Sequence, residues 1–274
     1  MWKLSATALL LSSTLFAGQS EKVQEFLEEK FTENPNIISI DVQVVDTVNV
    51  KDLKGWDAVV VNLDATVKAK PENRKIKQKM IWFTNGQVIT RELTDLNTGL
   101  ELADMISPSF KAEHYKKENL IYGDENAKHK VAIFSDPLCP FCKDFVPEAI
   151  NYMKKYPKTF AVYYYHLPLE RIHPAAVQLT QAAVAAKLQG YKDVTLKLYE
   201  VNVKGREKST AKILKLFNEE FKTDIKESDL KSKKVKQHLQ SDLDIASDLM
   251  VNGTPTIFFD GKIDKTKKKY KEAR

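Results

Sequence analysis

The chain contains two cysteines only, Cys139 and Cys142, and Pro140 and Phe141 separate them. Residues 131–138 are mostly apolar and predict a buried strand that enters a turn, and residues 143–155 predict a helix. A Cys-x-x-Cys motif between a strand and a helix is typical of redox proteins. At the first turn of that helix, unpaired backbone N–H groups and the positive end of the macrodipole favour a thiolate. The sequence therefore predicts that Cys139 is a nucleophile.

Cys142 is predicted one turn further into the helix, where a side chain is more buried. Thiol–disulfide exchange needs an attacking thiolate and a second thiol that resolves the mixed disulfide. Burial suits Cys142 to the second role. We expect Pro140 and Phe141, which lie between the cysteines, to contact the substrate. Phe141 supplies neither a charge nor a hydrogen-bond donor, so we expect a smaller shift toward thiolate than a histidine there would give.

Three other uses of the cysteine pair are less consistent with the sequence. Zinc at the pair would need two more ligands. The histidines form no pair with metal-like spacing; they are His114, His129, His166, His173 and His238. Covalent haem needs a histidine where Lys143 stands, and a structural disulfide would close too short a loop to constrain the unfolded chain much. We therefore expect no metal and no external cofactor, only a redox-active disulfide, with His166 and His173 merely packed or solvated.

Residues 1–18 have the pattern of a secretory signal peptide, with one positive charge at Lys3, an apolar run over 4–16 and then small residues. The run is short and Ser/Thr-rich for a membrane span, although an uncleaved anchor is the alternative. Export would place the chain in an oxidising compartment, where cysteines normally form structural disulfides. No cysteine is left over for that purpose, which favours a chemical role for the pair.

The length of 274 residues suggests two domains, at roughly 150 residues per domain. The formal charge is +6, from 43 basic and 37 acidic residues, and the excess includes the Lys-rich end of the chain at 262–274. Nucleic-acid binding typically combines a basic patch with several stacking aromatic residues, a pattern we do not find. A solvated tail explains the charge better, so nucleic acid is not an expected partner.

The segment 19–95 is predicted to form a small α+β domain. Apolar residues recur at helical spacing over 21–31, and apolar and polar residues alternate over 38–44, which predicts a half-buried strand. A Val-rich run over 58–67 predicts a second strand. Asn85-Gly86 joins two further apolar runs, 79–83 and 87–92, and predicts a hairpin.

This domain contains no cysteine, histidine or Gly-rich loop, so we expect it to act as a scaffold or dimerisation module, or as a surface for unfolded substrate chains. Trp56 and Trp82 are its candidates for an exposed apolar patch, although tryptophans are more often buried. Residues 96–118 are predicted to form a partly helical linker.

Strands and helices alternate in the second domain, 119–274, which predicts an α/β arrangement. Further predicted strands are 119–122, 160–167 and 256–259, and further predicted helices are 174–189, 194–201, 210–221 and 233–250. Thr254 and Pro255 lie between the last helix and the last strand. An X-Pro bond is cis only about one time in twenty, so the local sequence alone predicts a trans bond.

The run Phe134-Ser135-Asp136-Pro137-Leu138-Cys139-Pro140-Phe141-Cys142, with Gly253-Thr254-Pro255 far downstream, resembles the thioredoxin-fold disulfide isomerases of the bacterial periplasm, the DsbC and DsbG group. The resemblance covers about residues 119–261 by motif and order. It implies that Cys139 is the nucleophile and Cys142 the resolving thiol. It also implies that Thr254 precedes a cis Pro255 that touches the substrate backbone.

The same resemblance implies a thioredoxin-like fold with a helical insertion over about 174–250. A small α+β, cystatin-like dimerisation domain would precede it, and the product would be a V-shaped homodimer with a substrate-binding cleft in the periplasm. The expected substrates are unfolded or misoxidised exported proteins. A membrane redox partner would keep an isomerase reduced, or would reoxidise an oxidase.

The sequence departs from this pattern in its length and at its end. The N-terminal domain is longer than in the short isomerases. After residue 259 the chain offers only a turn and a Lys-rich tail, where this fold usually continues with another strand and an apolar final helix.

Oxidases of the DsbA type share the fold, so the fold alone does not distinguish isomerase from oxidase. A periplasmic holdase chaperone with incidental cysteines is the competing interpretation.

Overall fold

A long helix, α1 (Leu10–Thr32), covers an antiparallel sheet in the first of the two units into which the chain divides, 1–108 and 109–274. The structure, a computed structural model, describes residues 10–50, 53–69, 72–106 and 108–273. Val23 and Leu27 of α1 are buried against the sheet. The strands follow in chain order and are β1 (Ile37–Asn49), β2 (Asp57–Val67), β3 (Arg74–Thr84) and β4 (Ile89–Thr90).

Helix α1 begins well before the predicted start at residue 21 and runs through the expected signal-cleavage region near residue 18. Residues 10–20 contain no proline and a single glycine, so nothing in that stretch ends a helix. The part of the predicted signal peptide over 1–9 lies outside the described residues. Among the described residues, no helix is both long and apolar enough to cross a membrane.

The predicted hairpin forms, with Phe83 opposite Thr90 and Thr84 opposite Ile89. Gly86 takes a φ of +84°, a left-handed conformation that glycine adopts without strain. The Asn85 side chain accepts hydrogen bonds from the backbone N–H groups of the two residues after the glycine. Strand β4 is shorter than the predicted run over 87–92.

The predicted linker over 96–118 is divided between the two units. In its first part, Glu101 forms an isolated bridge with Thr94, which precedes the segment, and a short helix follows, α2 (Leu102–Ile106). Its second part, from residue 109, belongs to the second unit. Phe110 is only 3% exposed, because it packs against Phe134, Tyr165 and Phe258. The prediction of a linker over 109–118 was therefore wrong.

A five-stranded mixed sheet of order β5-β7-β6-β8-β9 forms the second unit, with β6 and β7 parallel and the other pairs antiparallel. Its strands are β5 (Leu120–Tyr122), β6 (His129–Ser135), β7 (Phe160–His166), β8 (Thr256–Phe259) and β9 (Lys262–Ile263). Its helices are α3 (Pro140–Met153), α4 (Pro174–Leu188), α5 (Val194–Lys197), α6 (Thr210–Phe221), α7 (Glu227–Leu230), α8 (Lys233–Asp248) and α9 (Lys269–Glu272).

Successive residues of β6 face opposite sides of the sheet. Val131 and Ile133 pack with buried residues of α3, whereas Ala132 and Phe134 pack with Ile245 and Ala246 of α8. The strand is thus buried on both faces, as the apolar run predicted. A separate apolar cluster joins α4, α6, α7 and α8 in the predicted helical insertion.

The Lys-rich end of the chain is folded, and the expectation of a solvated tail without a strand or final helix was wrong. Strand β9 pairs with β8, and α9 places Tyr270, 2% exposed, against Phe145 and Tyr152. The Asp264 carboxylate accepts the backbone N–H groups of Lys267 and Lys269. One buried aromatic residue and one buried carboxylate anchor the segment.

Candidate functional site

The cysteine pair lies where β6 gives way to α3. Ser135 ends the strand, and Cys139 is the N-cap of the helix with Pro140 as the first helical residue. A proline there costs no hydrogen bond, because the first N–H groups of a helix have no partner within it. The Cys139 carbonyl accepts the backbone N–H groups of both Cys142 and Lys143, each at 3.0 Å. This start of the helix agrees with the motif's predicted position.

Both cysteines are buried, Cys142 more completely than Cys139. Cys139 is 5% exposed and Cys142 is fully buried, and both are free thiols. Phe141 between them is 74% exposed and Pro140 is also exposed. A partner that approaches the start of α3 therefore meets Phe141 and Pro140 first and the edge of Cys139 next.

Thr254 and Pro255 lie beside Cys139. The Thr254–Pro255 peptide bond is cis, as the resemblance implied and against the trans bond that the local sequence favoured. The Cys139 thiol donates a weak hydrogen bond to the Thr254 carbonyl, with Sγ and O 3.6 Å apart. The structure thus brings residues more than a hundred positions apart into contact at one end of the sheet.

Cys142 packs above a buried chain of hydroxyl groups. The Ser135 and Tyr199 hydroxyls are 2.7 Å apart, and the Tyr199 and Tyr164 hydroxyls are 2.8 Å apart. Burial raises the pKa of Cys142 to about 11, and a hydrogen bond with the Ser135 side chain partly opposes that rise. Burial also raises the pKa of Tyr164 and Tyr199, so these phenols stay protonated across the physiological range.

Asp136 holds the loop before the cysteines, a role that the sequence reasoning missed. Its buried carboxylate accepts the backbone N–H groups of Leu138 at 2.7 Å and Leu169 at 2.8 Å, and it lies 3.0 Å from Nδ1 of His173. His173 is therefore paired rather than merely packed. An Asp-Pro dipeptide three residues before Cys139 was the available signal, since such a carboxylate readily binds nearby backbone.

Within the described part of the chain, one group of three potential metal ligands lies apart from the cysteine pair. His238 and Asp242 stand one turn apart on α8, and both meet His166 at the end of β7. A histidine and a carboxylate four positions apart on a helix lie on the same face, so this pair was visible in the sequence as a possible ligand pair. This group does not include either cysteine.

Trp56 and Trp82 are both partly buried, so neither forms the exposed patch for which they were candidates. Trp82 packs edge-on against Phe31, and the Arg91 guanidinium lies over its ring. Among the side chains of the first unit that the structure describes, the exposed large apolar residues are Phe26, Ile38, Val45, Val48, Val88, Leu96 and Leu100.

The arrangement of the second unit defines a thioredoxin-like protein with a dithiol. Its two parallel strands flank a helix that starts with Cys-x-x-Cys, and a cis proline precedes the neighbouring antiparallel strand. Residues 115–274, more than half of the chain, match the family model described as Thioredoxin. The chain belongs to the thioredoxin family.

Several solved structures are similar to this chain. A thioredoxin-like oxidoreductase from Silicibacter pomeroyi DSS-3 is 19% identical, with 55% of this chain and 84% of that chain covered and a TM-score of 0.44. The thiol-disulfide exchange protein alpha-DsbA2 from Wolbachia pipientis is 20% identical, with 59% and 90% covered and a TM-score of 0.47. Proteus mirabilis ScsC in a transitional conformation is 23% identical, with 55% and 67% covered and a TM-score of 0.45. No curated protein gave a significant match.

Proposed function

We propose that the chain is an exported thiol–disulfide oxidoreductase in which Cys139 is the nucleophile and Cys142 the resolving thiol. The unequal exposure of the two cysteines is the observation that carries this proposal. Cys139 keeps a small exposed fraction of 5% beside the exposed Pro140 and Phe141, which gives a substrate sulfur an approach to it, whereas Cys142 has no exposed surface. The exchange needs no external cofactor, because the cysteine pair itself carries the electrons.

In the reductive direction, the Cys139 thiolate attacks one sulfur of a substrate disulfide. A mixed disulfide forms, and the other substrate sulfur leaves as a thiolate that takes up a proton. Cys142 then loses its proton to water and attacks Sγ of Cys139, so the Cys139–Cys142 disulfide forms and the substrate leaves as a dithiol. The substrate gains the two electrons that the protein loses, and the oxidative direction is the reverse.

Substrate contact is assigned to Pro140, Phe141, Thr254 and Pro255. The exposed Phe141 ring offers an apolar surface for an unfolded chain. The Thr254 carbonyl accepts the Cys139 thiol in the free protein. Once Cys139 becomes a thiolate it no longer donates to this carbonyl, which is then free for the backbone N–H of an extended substrate segment.

We favour an isomerase of the DsbC and DsbG type, with an oxidase as the alternative direction. Burial supports this choice, because it raises the pKa of Cys142, keeps its thiol protonated near pH 7 and so slows its attack on a mixed disulfide. A mixed disulfide on Cys139 would then persist, so another substrate thiol could attack it and rearrange the substrate. We further propose a periplasmic homodimer through the first unit, with unfolded or misoxidised exported proteins as substrates and a membrane redox partner.

Serine variants test the assignment of the two roles. Cys142→Ser should accumulate mixed disulfides with substrate proteins, visible on non-reducing gels and lost on reduction. Cys139→Ser, the matched control, should accumulate none and should lose exchange activity altogether. If only Cys139→Ser traps partners, the two roles are reversed, and if Cys139→Ser keeps full activity, the proposal is wrong. Thiol alkylation in cells then tests the direction, because a mostly reduced pair indicates an isomerase or a reductase and a mostly oxidised pair an oxidase.

A further inference from the structure

Three potential metal ligands from two elements meet at the end of β7. His166 ends β7, and His238 and Asp242 stand one turn apart on α8. Within the described part of the chain, one ligand atom from each of the three lies within 4.8 Å of the other two. His238 Nε2 and Asp242 Oδ2 are 3.7 Å apart. We propose that His166, His238 and Asp242 bind a divalent transition-metal ion, with Zn²⁺ as the ion that suits them best.

An unsatisfied nitrogen is the second observation that points to a ligand. His166 is 5% exposed, and its Nδ1 atom is buried without a hydrogen-bond partner. A buried polar atom without a partner is costly, and such atoms in folded proteins usually have a partner. Burial also lowers the pKa of His166 well below its usual value and that of His238 to about 4. Both imidazoles are therefore neutral at pH 7, which is the form that binds metals.

The carboxylate is already oriented by neighbouring groups. The Asn119 side-chain amide donates to Asp242 Oδ1 at 2.7 Å, and the backbone N–H of His166 donates to Oδ2 at 2.8 Å. Each carboxylate oxygen can accept two bonds, so each keeps a lone pair for a metal. The other amide hydrogen of Asn119 goes to the Tyr164 carbonyl, which fixes the amide itself. Such outer hydrogen bonds hold ligands in place in known metal sites.

Two charged side chains, those of Lys187 and Glu118, border the group. Burial raises the pKa of Asp242 to about 7 and lowers that of Lys187, which lies near all three residues and bonds to the Glu118 carbonyl. The Glu118 carboxylate adds a negative charge that favours a cation.

The donor set selects the class of ion. Two imidazole nitrogens and one carboxylate oxygen suit Zn²⁺, as well as other borderline ions such as Cu²⁺, Ni²⁺ and Fe²⁺. Ligand atoms around tetrahedral zinc lie about 3.3–3.5 Å apart, so the group must contract by roughly 1 Å. The His238 side chain is 11% exposed and gives an ion access from solvent. Three protein ligands leave a fourth position for water.

The test uses the full chain with Cys139→Ser and Cys142→Ser, because free thiolates bind zinc and would hide a second site. After EDTA treatment and dialysis, calorimetric titration with Zn²⁺ should give one equivalent per chain. His238→Ala and Asp242→Asn should each weaken binding at least tenfold. The matched control His129→Ala removes a histidine paired with Asp260 elsewhere and should leave the affinity unchanged. Because this protein has no thiols, the result is independent of the proposed exchange activity.

Thermal unfolding separates loss of the site from loss of the fold. Zn²⁺ should raise the unfolding midpoint of the parent protein, and folded His238→Ala should show no such rise. His238→Cys should restore binding, because a thiolate is also a zinc ligand. Absence of saturable binding at one equivalent would overturn the proposal, as would unchanged zinc affinity in folded His238→Ala.

Discussion

At the scale of single residues, Asp136 determines how the loop before the cysteines is held. Its carboxylate accepts two backbone N–H groups and pairs with His173, all without exposure to solvent. The same carboxylate thus ties the start of α3 to the segment that leads into α4. The loop between β6 and α3 is therefore held by the Asp136 side chain in addition to the two elements that it joins.

Asp136→Asn tests this role. The amide keeps one acceptor oxygen but turns an NH₂ group toward donors, which leaves a buried group unsatisfied. We expect a loss of about 1–3 kcal/mol in the free energy of unfolding, measured with urea. Asp144→Asn, on the exposed face of α3, is the matched control and should change stability by less than about 0.5 kcal/mol. Equal stability of the two variants would contradict the assignment.

The Cys142 thiol should ionise only at high pH. In the Cys139→Ser variant, the thiolate fraction of Cys142, followed by NMR of its Cβ carbon, should rise about tenfold per pH unit and level off above about pH 11. Ser135→Ala should move the plateau higher, since the Ser135 hydroxyl lowers this pKa. Tyr165→Phe, in the apolar cluster on the other face of the sheet, leaves the Ser135 hydroxyl and its partner in place and serves as the control. A plateau at or below pH 9 in the parent variant would show that burial does not control the thiol.

The raised pKa of Cys142 also makes the stability of the fold depend on pH. The folded protein favours the protonated Cys142 thiol, so this group contributes to stability below about pH 9, the ordinary pKa of a cysteine. That contribution is lost as pH rises through about 11.

At the scale of elements, the last helix depends on one aromatic side chain. Tyr270 is 2% exposed against Phe145 of α3 and Tyr152, while the lysines around it are mostly solvated. We expect Tyr270→Ala to lower the free energy of unfolding by about 3–5 kcal/mol, as is usual for a buried aromatic residue. Tyr191→Ala, at a residue 39% exposed, should cost under about 1 kcal/mol. Urea unfolding followed by circular dichroism compares the two variants. Equal losses in the free energy of unfolding would show that burial of Tyr270 does not stabilise the fold.

Elements whose signal is local could be predicted from the sequence. The apolar run of β6, the Pro and Gly that bound α4, and the Asn85-Gly86 turn each act over a few residues. Phe110 and Tyr270 stand alone among polar neighbours, so their burial depends on partners more than twenty residues away. In the site, the Cys-x-x-Cys spacing is local and could be predicted. The contacts of Asp136 with His173 and of His166 with Asp242 join residues far apart in the sequence, so they could not be predicted from it.

At the scale of the whole molecule, the first unit carries the surface on which the proposed homodimer depends. Phe26 of α1 is 45% exposed and Val88 of the hairpin is 54% exposed. Both line a cavity of about 120 Å³ whose walls are mostly apolar. Soluble monomers rarely leave contiguous apolar surface uncovered, so this part of α1 and the hairpin is the region we expect a second copy to cover.

Sedimentation of the full chain should therefore show a dimer, and Phe26→Glu should raise its dissociation constant at least tenfold. In a two-fold symmetric interface each substitution occurs twice, so two buried carboxylates would lose solvation in one contact. Leu96→Glu is the matched control, because Leu96 is apolar and 98% exposed on a loop outside this surface, and it should leave the dimer intact. If the protein is a monomer at all concentrations, or if only Leu96→Glu dissociates the dimer, this surface is not the dimer interface. Because each catalytic unit has its own cysteine pair, Phe26→Glu should still reduce a small disulfide substrate at the parent rate.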